Sequence, residues 1–75
     1  MTKYAVVIEQ ADDGGYGAWS PDLPGVVAVA ETEAAVLEEM RQAIEFHLEG
    51  LQADGQPIPR PSTVAAVVVT ASNAA

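Results

Sequence analysis

The chain has 75 residues, which is enough for a single domain, and it contains no cysteine, so disulfide bonds cannot stabilise it. Eleven acidic residues against three basic ones give a net charge of −8. Because nucleic-acid binding takes most of its affinity from Lys and Arg at phosphates, we do not expect direct DNA or RNA binding. Neither a signal-peptide segment nor a run of about 18 apolar residues is present, which predicts a cytoplasmic protein without a membrane span. The acidic surface favours a basic protein partner, or it serves solubility alone.

Three β-rich segments separated by turn formers open the chain. Residues 3–10 are β-branched and aromatic and predict a first strand. The Asp-Asp-Gly-Gly sequence at 12–15 predicts a tight turn, after which residues 16–20 return antiparallel as a second strand. Residues 21–25 end in Pro-Gly, which suits the two central positions of a type II turn. Residues 26–30 then predict a third strand.

From residue 32 to about 53 the apolar spacing changes to the three- and four-residue steps of an amphipathic helix. Thr32 is the expected N-cap, and Gly55 the expected residue after the helix, with Gly50 as an earlier alternative. The predicted apolar stripe consists of Val36, Leu37, Met40, Ala43, Ile44, His47, Leu48 and Leu51. The single histidine, His47, is interpreted as a boundary residue of this stripe.

Three prolines between 57 and 61 predict an extended connection, and the β-branched residues 64–70 predict a fourth strand. The order is β-β-β-α-β, an α+β fold in which a three-stranded antiparallel meander is joined by one helix and a fourth strand parallel to strand one. Patterning leaves open whether strand four lies beside strand one or strand three. We expect residues 1–71 to form one domain and residues 72–75 to be a disordered tail.

Strands one and four are apolar on both faces, whereas one helix can cover only one face of a sheet. The uncovered apolar surface predicts an interface and self-association as a dimer or tetramer. Val67 and Val69 are the residues that we expect in this oligomer interface.

Two segments flanking the helix resemble the HicB family of antitoxins. The resemblance covers about residues 3–70, and its most specific parts are Pro-Asp-Leu-Pro-Gly at 21–25 and Ile-Pro-Arg-Pro-Ser at 58–62. It implies a partial ribonuclease H-like fold with the last strand beside strand one. It also implies binding and neutralisation of a small basic HicA-type toxin that cleaves mRNA. Family members often carry a C-terminal DNA-binding module, and we expect this chain to lack one because the sequence stops after strand four.

A ribonuclease H-like fold raises the alternative of a degenerate two-metal nuclease, which needs several converging carboxylates. Glu9 and Glu45 are candidates, but the predicted fourth strand contains no acidic residue. We therefore predict no enzyme activity, no catalytic residue, no metal site and no cofactor.

For partner binding, Glu38, Glu45 and Glu49 on the polar side of the helix are the expected electrostatic contacts, unless they are only a solvated face. Trp19 is a further candidate, either as a partner contact or as a residue of the core or of a self-association surface. A solitary, self-associating HicB-like domain with another regulatory or ligand-binding role is the alternative to the antitoxin hypothesis.

Overall fold

Three strands and one helix form the regular structure of the chain, which the computed structural model describes over residues 2–72. The strands are β1 (Val7–Gln10), β2 (Tyr16–Trp19) and β3 (Val27–Ala30), and the helix is α1 (Glu33–Ala53). The sheet order is β1-β2-β3 with both neighbouring pairs antiparallel. The predicted α+β class and the three-stranded meander are therefore confirmed, although strand one pairs only from residue 7 onward.

The two turns form as their sequences predict. In the first, the Gly14 N–H donates to the Ala11 carbonyl (3.0 Å). In the second, the Val26 N–H donates to the Leu23 carbonyl (3.2 Å), which places the Pro-Gly pair at the two central positions. Gly25 has φ +85°, the left-handed conformation that this type of turn requires and that favours glycine.

Both ends of α1 are capped by local hydrogen bonds. The Thr32 hydroxyl accepts from the Ala35 N–H (3.0 Å), which confirms the predicted N-cap. At the other end Gly55 adopts φ +69° and donates to the Gln52 carbonyl, while the Gln56 N–H donates to the Leu51 carbonyl. This pair of bonds is the Schellman motif, so the helix ends before Gly55 and continues past Gly50.

The core lies between α1 and one face of the sheet, here called the inner face. Its buried members are Ala18, Leu23, Val26, Val36 and Met40. Alternate residues of β1 and of the segment leading into it, Tyr4, Val6 and Ile8, pack against this cluster. Of the predicted helix stripe, Leu37 is the exception, since its side chain is half exposed.

The predicted fourth strand is not formed. Residues 56–72 contain neither helix nor strand, and every residue from 64 to 72 is exposed. The β-branched composition of this segment favours extended backbone, but a strand exists only when its N–H and C=O groups pair with another strand. In the described chain residues 64–70 pair with neither edge of the sheet, so neither predicted position, beside strand one or strand three, is occupied.

The predicted boundary between the domain and its tail, after residue 71, lies next to the end of the described residues. Apart from Ser72, the predicted tail at 72–75 lies outside the described residues. Between residues 2 and 72 no helix has the length and apolar character needed to cross a membrane.

Candidate partner-binding surfaces

The face of the sheet opposite α1 is the first candidate surface. Strand register places Val7, Trp19 and Val27 in one row across the three strands, with Val29 in the neighbouring row on the same face. Val27 and Val29 are 65% and 76% exposed. These four residues are here called the outer apolar face. A contiguous apolar surface on a small protein usually marks an interaction site.

Trp19 projects from the outer apolar face and is 41% exposed, so it does not belong to the core. Its indole N–H donates a 2.7 Å hydrogen bond to the Glu9 carboxylate on the adjacent strand. This bond satisfies the single polar group of the ring and limits its rotation. The exposed part of the ring is apolar, and an aromatic side chain held in place loses little entropy on binding.

The second candidate surface is the exposed side of α1 that carries Glu38, Glu45 and Glu49, here called the acidic helix face. Arg41 lies between the first two: its Nε and Nη2 donate to both oxygens of Glu38 (2.9 and 2.6 Å), and Nη1 donates to Glu45 (2.6 Å). One guanidinium therefore offsets part of the charge of two predicted contact residues. The i,i+3 and i,i+4 spacing of these residues was a usable signal for this pairing in the sequence.

The Arg41 hydrogen bonds, with a further one from Gln42, lower the pKa of Glu38 to about 2. The same contacts raise the pKa of Arg41. Glu38 therefore stays ionised across the physiological pH range. All three partners of the network are about half exposed or more, so solvent screening keeps its contribution to stability small.

The two candidate surfaces lie on opposite sides of the molecule. The outer apolar face is on one side of the sheet, and α1 packs on the other, mainly against β3 and β2. Trp19 and the helix glutamates thus do not form a single site. A partner contacting both would have to wrap around an edge of the sheet.

Phe46 is an exposed aromatic residue that sequence reasoning missed. Its side chain is 78% exposed and borders a shallow depression between the C-terminal half of α1 and the start of β3. His47 lines the same depression and is half buried, in keeping with a boundary residue. The available signal was that Phe46 falls outside the apolar stripe running through Ala43, Ile44 and His47.

The carboxylates proposed for the nuclease alternative are not brought together. Glu9 lies on the outer face of the sheet, where it bonds Trp19, whereas Glu45 lies on α1 beyond the inner face. Over residues 2–72 no group of three or more His, Cys, Asp or Glu side chains is placed to hold a metal ion. A two-metal centre needs such convergence, and no observation favours one here.

Val67 and Val69, the predicted oligomer contacts, lie in the extended C-terminal segment, where both are at least three-quarters exposed. The base of this segment is held against the body. Asp22 accepts hydrogen bonds from the Ser62 hydroxyl and the Thr63 N–H, both 3.0 Å long, and the Tyr4 hydroxyl donates to the Pro59 carbonyl (2.6 Å).

These features define a small acidic α+β domain with exposed apolar and acidic surfaces. A sequence profile described as "HicB_like antitoxin of bacterial toxin-antitoxin system" matches residues 4–74. The chain therefore belongs to the HicB-like antitoxin family.

Curated relatives extend this match. The chain is 34% identical over 62 residues to a UPF0150 protein of Synechocystis, an alignment that covers 83% of this chain and 78% of the relative. A UPF0150 protein of Thermoplasma acidophilum is 34% identical over 58 residues, covering 77% of this chain and 84% of the relative. An uncharacterised protein of a Haemophilus phage is 31% identical over 61 residues, which are 81% of this chain but only 45% of the phage protein.

Proposed function

We propose that this chain is an antitoxin subunit that binds a basic, mRNA-cleaving toxin of the HicA type in the cytoplasm and neutralises it. The observation that carries the proposal is family membership across residues 4–74. An antitoxin acts by binding, so its surface, and not a catalytic centre, has to supply the activity.

The charge distribution supports a basic partner. The net charge of −8 attracts a basic protein during diffusional encounter, and the acidic helix face is the natural place of first contact. Glu49 extends that face one turn beyond Glu45. In this proposal the acidic helix face sets the association rate more than the final affinity.

The outer apolar face supplies the affinity in this proposal. Interface energy is concentrated in a few buried aromatic and arginine anchors, and Trp19 is a partly exposed aromatic side chain whose polar atom is already bonded. Its burial against a toxin would require no new hydrogen bond from the indole.

The proposal requires that a gene beside this one encodes a small basic protein, and the test uses that protein. That protein should cleave RNA alone and stop cleaving when this chain is added in excess. Trp19→Ala should weaken the complex by at least about tenfold, because truncating an interface anchor costs more than about 1.4 kcal/mol. Phe46→Ala, which truncates another exposed aromatic side chain on α1, away from the outer apolar face, is the matched control and should leave the affinity unchanged. Continued RNA cleavage in the presence of excess folded chain would remove the antitoxin proposal.

The second candidate, a solitary self-associating domain with another regulatory role, is favoured by the exposed valines of residues 64–69. It predicts that no basic open reading frame lies beside this one and that the chain assembles by itself. Inspection of the neighbouring genes separates the two candidates before any protein is made.

A further inference from the structure

Phe46 is a large aromatic side chain of α1 that the core does not use. It is 78% exposed and borders a depression of about 400 Å³ between the C-terminal half of α1 and the start of β3, here called the Phe46 depression. Single exposed apolar residues are common on protein surfaces, so the ring alone identifies no site. Two further residues of α1 and its C-cap, Gly50 and Asp54, give this ring a context.

Gly50 follows Phe46 by one helix turn and leaves the Phe46 depression open. It is the one glycine within α1, and glycine inside a helix destabilises it relative to alanine. Its φ is not in the left-handed region, and an added Cβ would meet nothing of the surrounding structure within 4 Å. Neither backbone conformation nor packing therefore requires glycine. Such a conflict between local preference and fold is expected at functional positions.

Asp54 lies at the end of the row Phe46, Gly50 and Asp54, whose members are four residues apart and share one side of the helix. It is the C-cap residue, and the last turn contains no basic side chain. A helix C-terminus is itself negative and is stabilised by cations. Over residues 2–72 both ion pairs belong to Arg41, so no cation of this part of the chain pairs with Asp54. The helix end thus combines two negative charges and has no counterion from the chain.

An aromatic face, an open space and a carboxylate at a negative helix end together match an arginine side chain. Its planar guanidinium stacks on aromatic rings and forms paired hydrogen bonds with a carboxylate, while its aliphatic stem packs on apolar surface. Val27 and Leu51 supply apolar surface to the Phe46 depression. Lysine fits less well, because its ammonium is a compact and strongly hydrated charge.

We propose that the Phe46 depression binds an arginine side chain of a protein partner other than the toxin. The net charge of −8 attracts basic proteins to the chain. The depression contains no residue of the acidic helix face and shares only Val27 with the outer apolar face. A chain that holds the toxin on those two surfaces therefore keeps Phe46 and Asp54 accessible to a second basic protein.

A short peptide tests the arginine site on the chain alone. The probe is the blocked peptide Gly-Gly-Arg-Gly-Gly, and its matched control carries citrulline, which has nearly the same shape but no charge. In NMR titrations the arginine peptide should shift the backbone amides of Phe46, Gly50 and Asp54, and the citrulline peptide should leave them in place. Equal shifts with both peptides, or shifts centred on the acidic helix face, would overturn the proposal.

Two variants separate the aromatic and the electrostatic contributions. Phe46→Leu keeps apolar bulk but removes the aromatic face, and it should weaken peptide binding by roughly two- to fivefold, the range of an exposed cation–π contact. Asp54→Asn removes the carboxylate charge and should also weaken binding. Asp12→Asn makes the same change of charge in the distant hairpin turn and should bind like the parent chain. Equal weakening by Asp54→Asn and Asp12→Asn would reduce the effect to net charge and overturn the site.

Substitutions of Gly50 separate binding from folding. Gly50→Gln introduces a helix-favouring side chain into open space, so the Tm should rise while the affinity for the arginine peptide falls. Gly50→Ala adds only a Cβ and should raise the Tm with a smaller loss of affinity. A folded Gly50→Gln variant that binds the peptide like the parent chain would show that the open space has no role.

The toxin distinguishes this site from the proposed function. Trp19→Ala should weaken toxin binding and leave peptide binding unchanged, whereas Phe46→Ala should do the reverse. The arginine peptide should bind the toxin-bound chain as tightly as the free chain. Loss of peptide binding in that complex would overturn the assignment to a second partner. Failure of the toxin to bind at all would remove the proposed function and leave the peptide result standing.

Discussion

Asp22 and Thr63 are 41 positions apart in sequence, yet the Asp22 carboxylate accepts a 3.0 Å hydrogen bond from the Thr63 N–H. This contact joins the turn after β2 to the residue directly before the exposed C-terminal segment, residues 64–72. The Pro-Asp-Leu-Pro-Gly turn therefore has two roles: it reverses the chain, and it positions the segment that follows the helix.

Acidification should release this contact. The Thr63 backbone hydrogen bond, supported by bonds from Ser62, lowers the pKa of Asp22 below its ordinary value of 3.8. A lowered folded-state pKa means that the anchor is fully present above pH 3.8 and is lost as the pH falls through the lower folded value. The Thr63 amide chemical shift in NMR should therefore titrate with a midpoint below 3.8.

The matched variants are Asp22→Asn and Asp12→Asn. The first should abolish the acid-dependent change at Thr63, because its side chain has no proton to gain in this range. The second lies in the hairpin turn at the opposite end of β1 and should leave the titration unchanged. A Thr63 midpoint at or above 3.8 would contradict the anchoring role.

Loss of the helix cap gives a prediction about stability. Thr32→Ala removes the hydroxyl that accepts from Ala35 and should lower the free energy of unfolding by about 1 kcal/mol. For a domain of this size that is a fall in Tm of roughly 4–8 °C, measurable by circular dichroism. Thr32→Ser keeps the acceptor oxygen and should remain close to the parent protein. Equal losses in both variants would show that the methyl group, and not the cap, matters.

A third prediction concerns Ser20, which is 3% exposed and whose hydroxyl has no hydrogen-bond partner among residues 2–72. Burying an unpaired polar group costs roughly 1–3 kcal/mol, so Ser20→Ala should leave the free energy of unfolding unchanged or raise it. The Ser20 carbonyl, which accepts from Leu23, is retained in the variant. Urea unfolding measures the effect, with Ser62→Ala, which loses the bond to Asp22, as a contrast that should not stabilise. A clear loss of stability in Ser20→Ala would reveal a partner for the hydroxyl.

The helix and both turns could be predicted because their determinants are local. Thr32, Gly55 and the Pro-Gly pair act through contacts within five residues, which a sequence displays directly. Residues 64–70 carry an equally strong local preference for extended structure, but a strand also needs an edge to pair with. Whether residues 64–70 pair with an edge depends on the rest of the structure, and the local sequence of the segment does not show it.

The candidate surfaces were predictable in part. Strand alternation places Val7 and Ile8 on opposite faces, but it gives neither the register that aligns Val7 with Trp19 nor the face that α1 covers, because strand one is apolar on both faces. The position of Trp19 therefore had to come from packing. The pairing of Arg41 with Glu38 and Glu45 could be predicted from their spacing alone. It reduces the negative charge that is expected on the acidic helix face.

The last prediction uses this pairing. Arg41→Gln removes the cation that holds Glu38 and Glu45, so it frees two carboxylates at the proposed first-contact surface. We expect a faster association with the basic partner at low salt, measured by stopped-flow fluorescence of Trp19. The difference should shrink as salt rises, because exposed charges are screened beyond roughly 8–10 Å at physiological ionic strength. Stability should change little, since the ion pairs are exposed.

The control has to separate local charge from total charge. Arg60→Gln makes the same change in net charge on the proline-rich connection, away from the acidic helix face. If that face guides the encounter, Arg41→Gln accelerates association more than Arg60→Gln does, and Glu38→Gln in the Arg41→Gln background removes part of the gain. Equal acceleration by both single variants would mean that only net charge attracts the partner. The acidic helix face would then be a solvated surface, and the toxin contact would have to be sought at the outer apolar face alone.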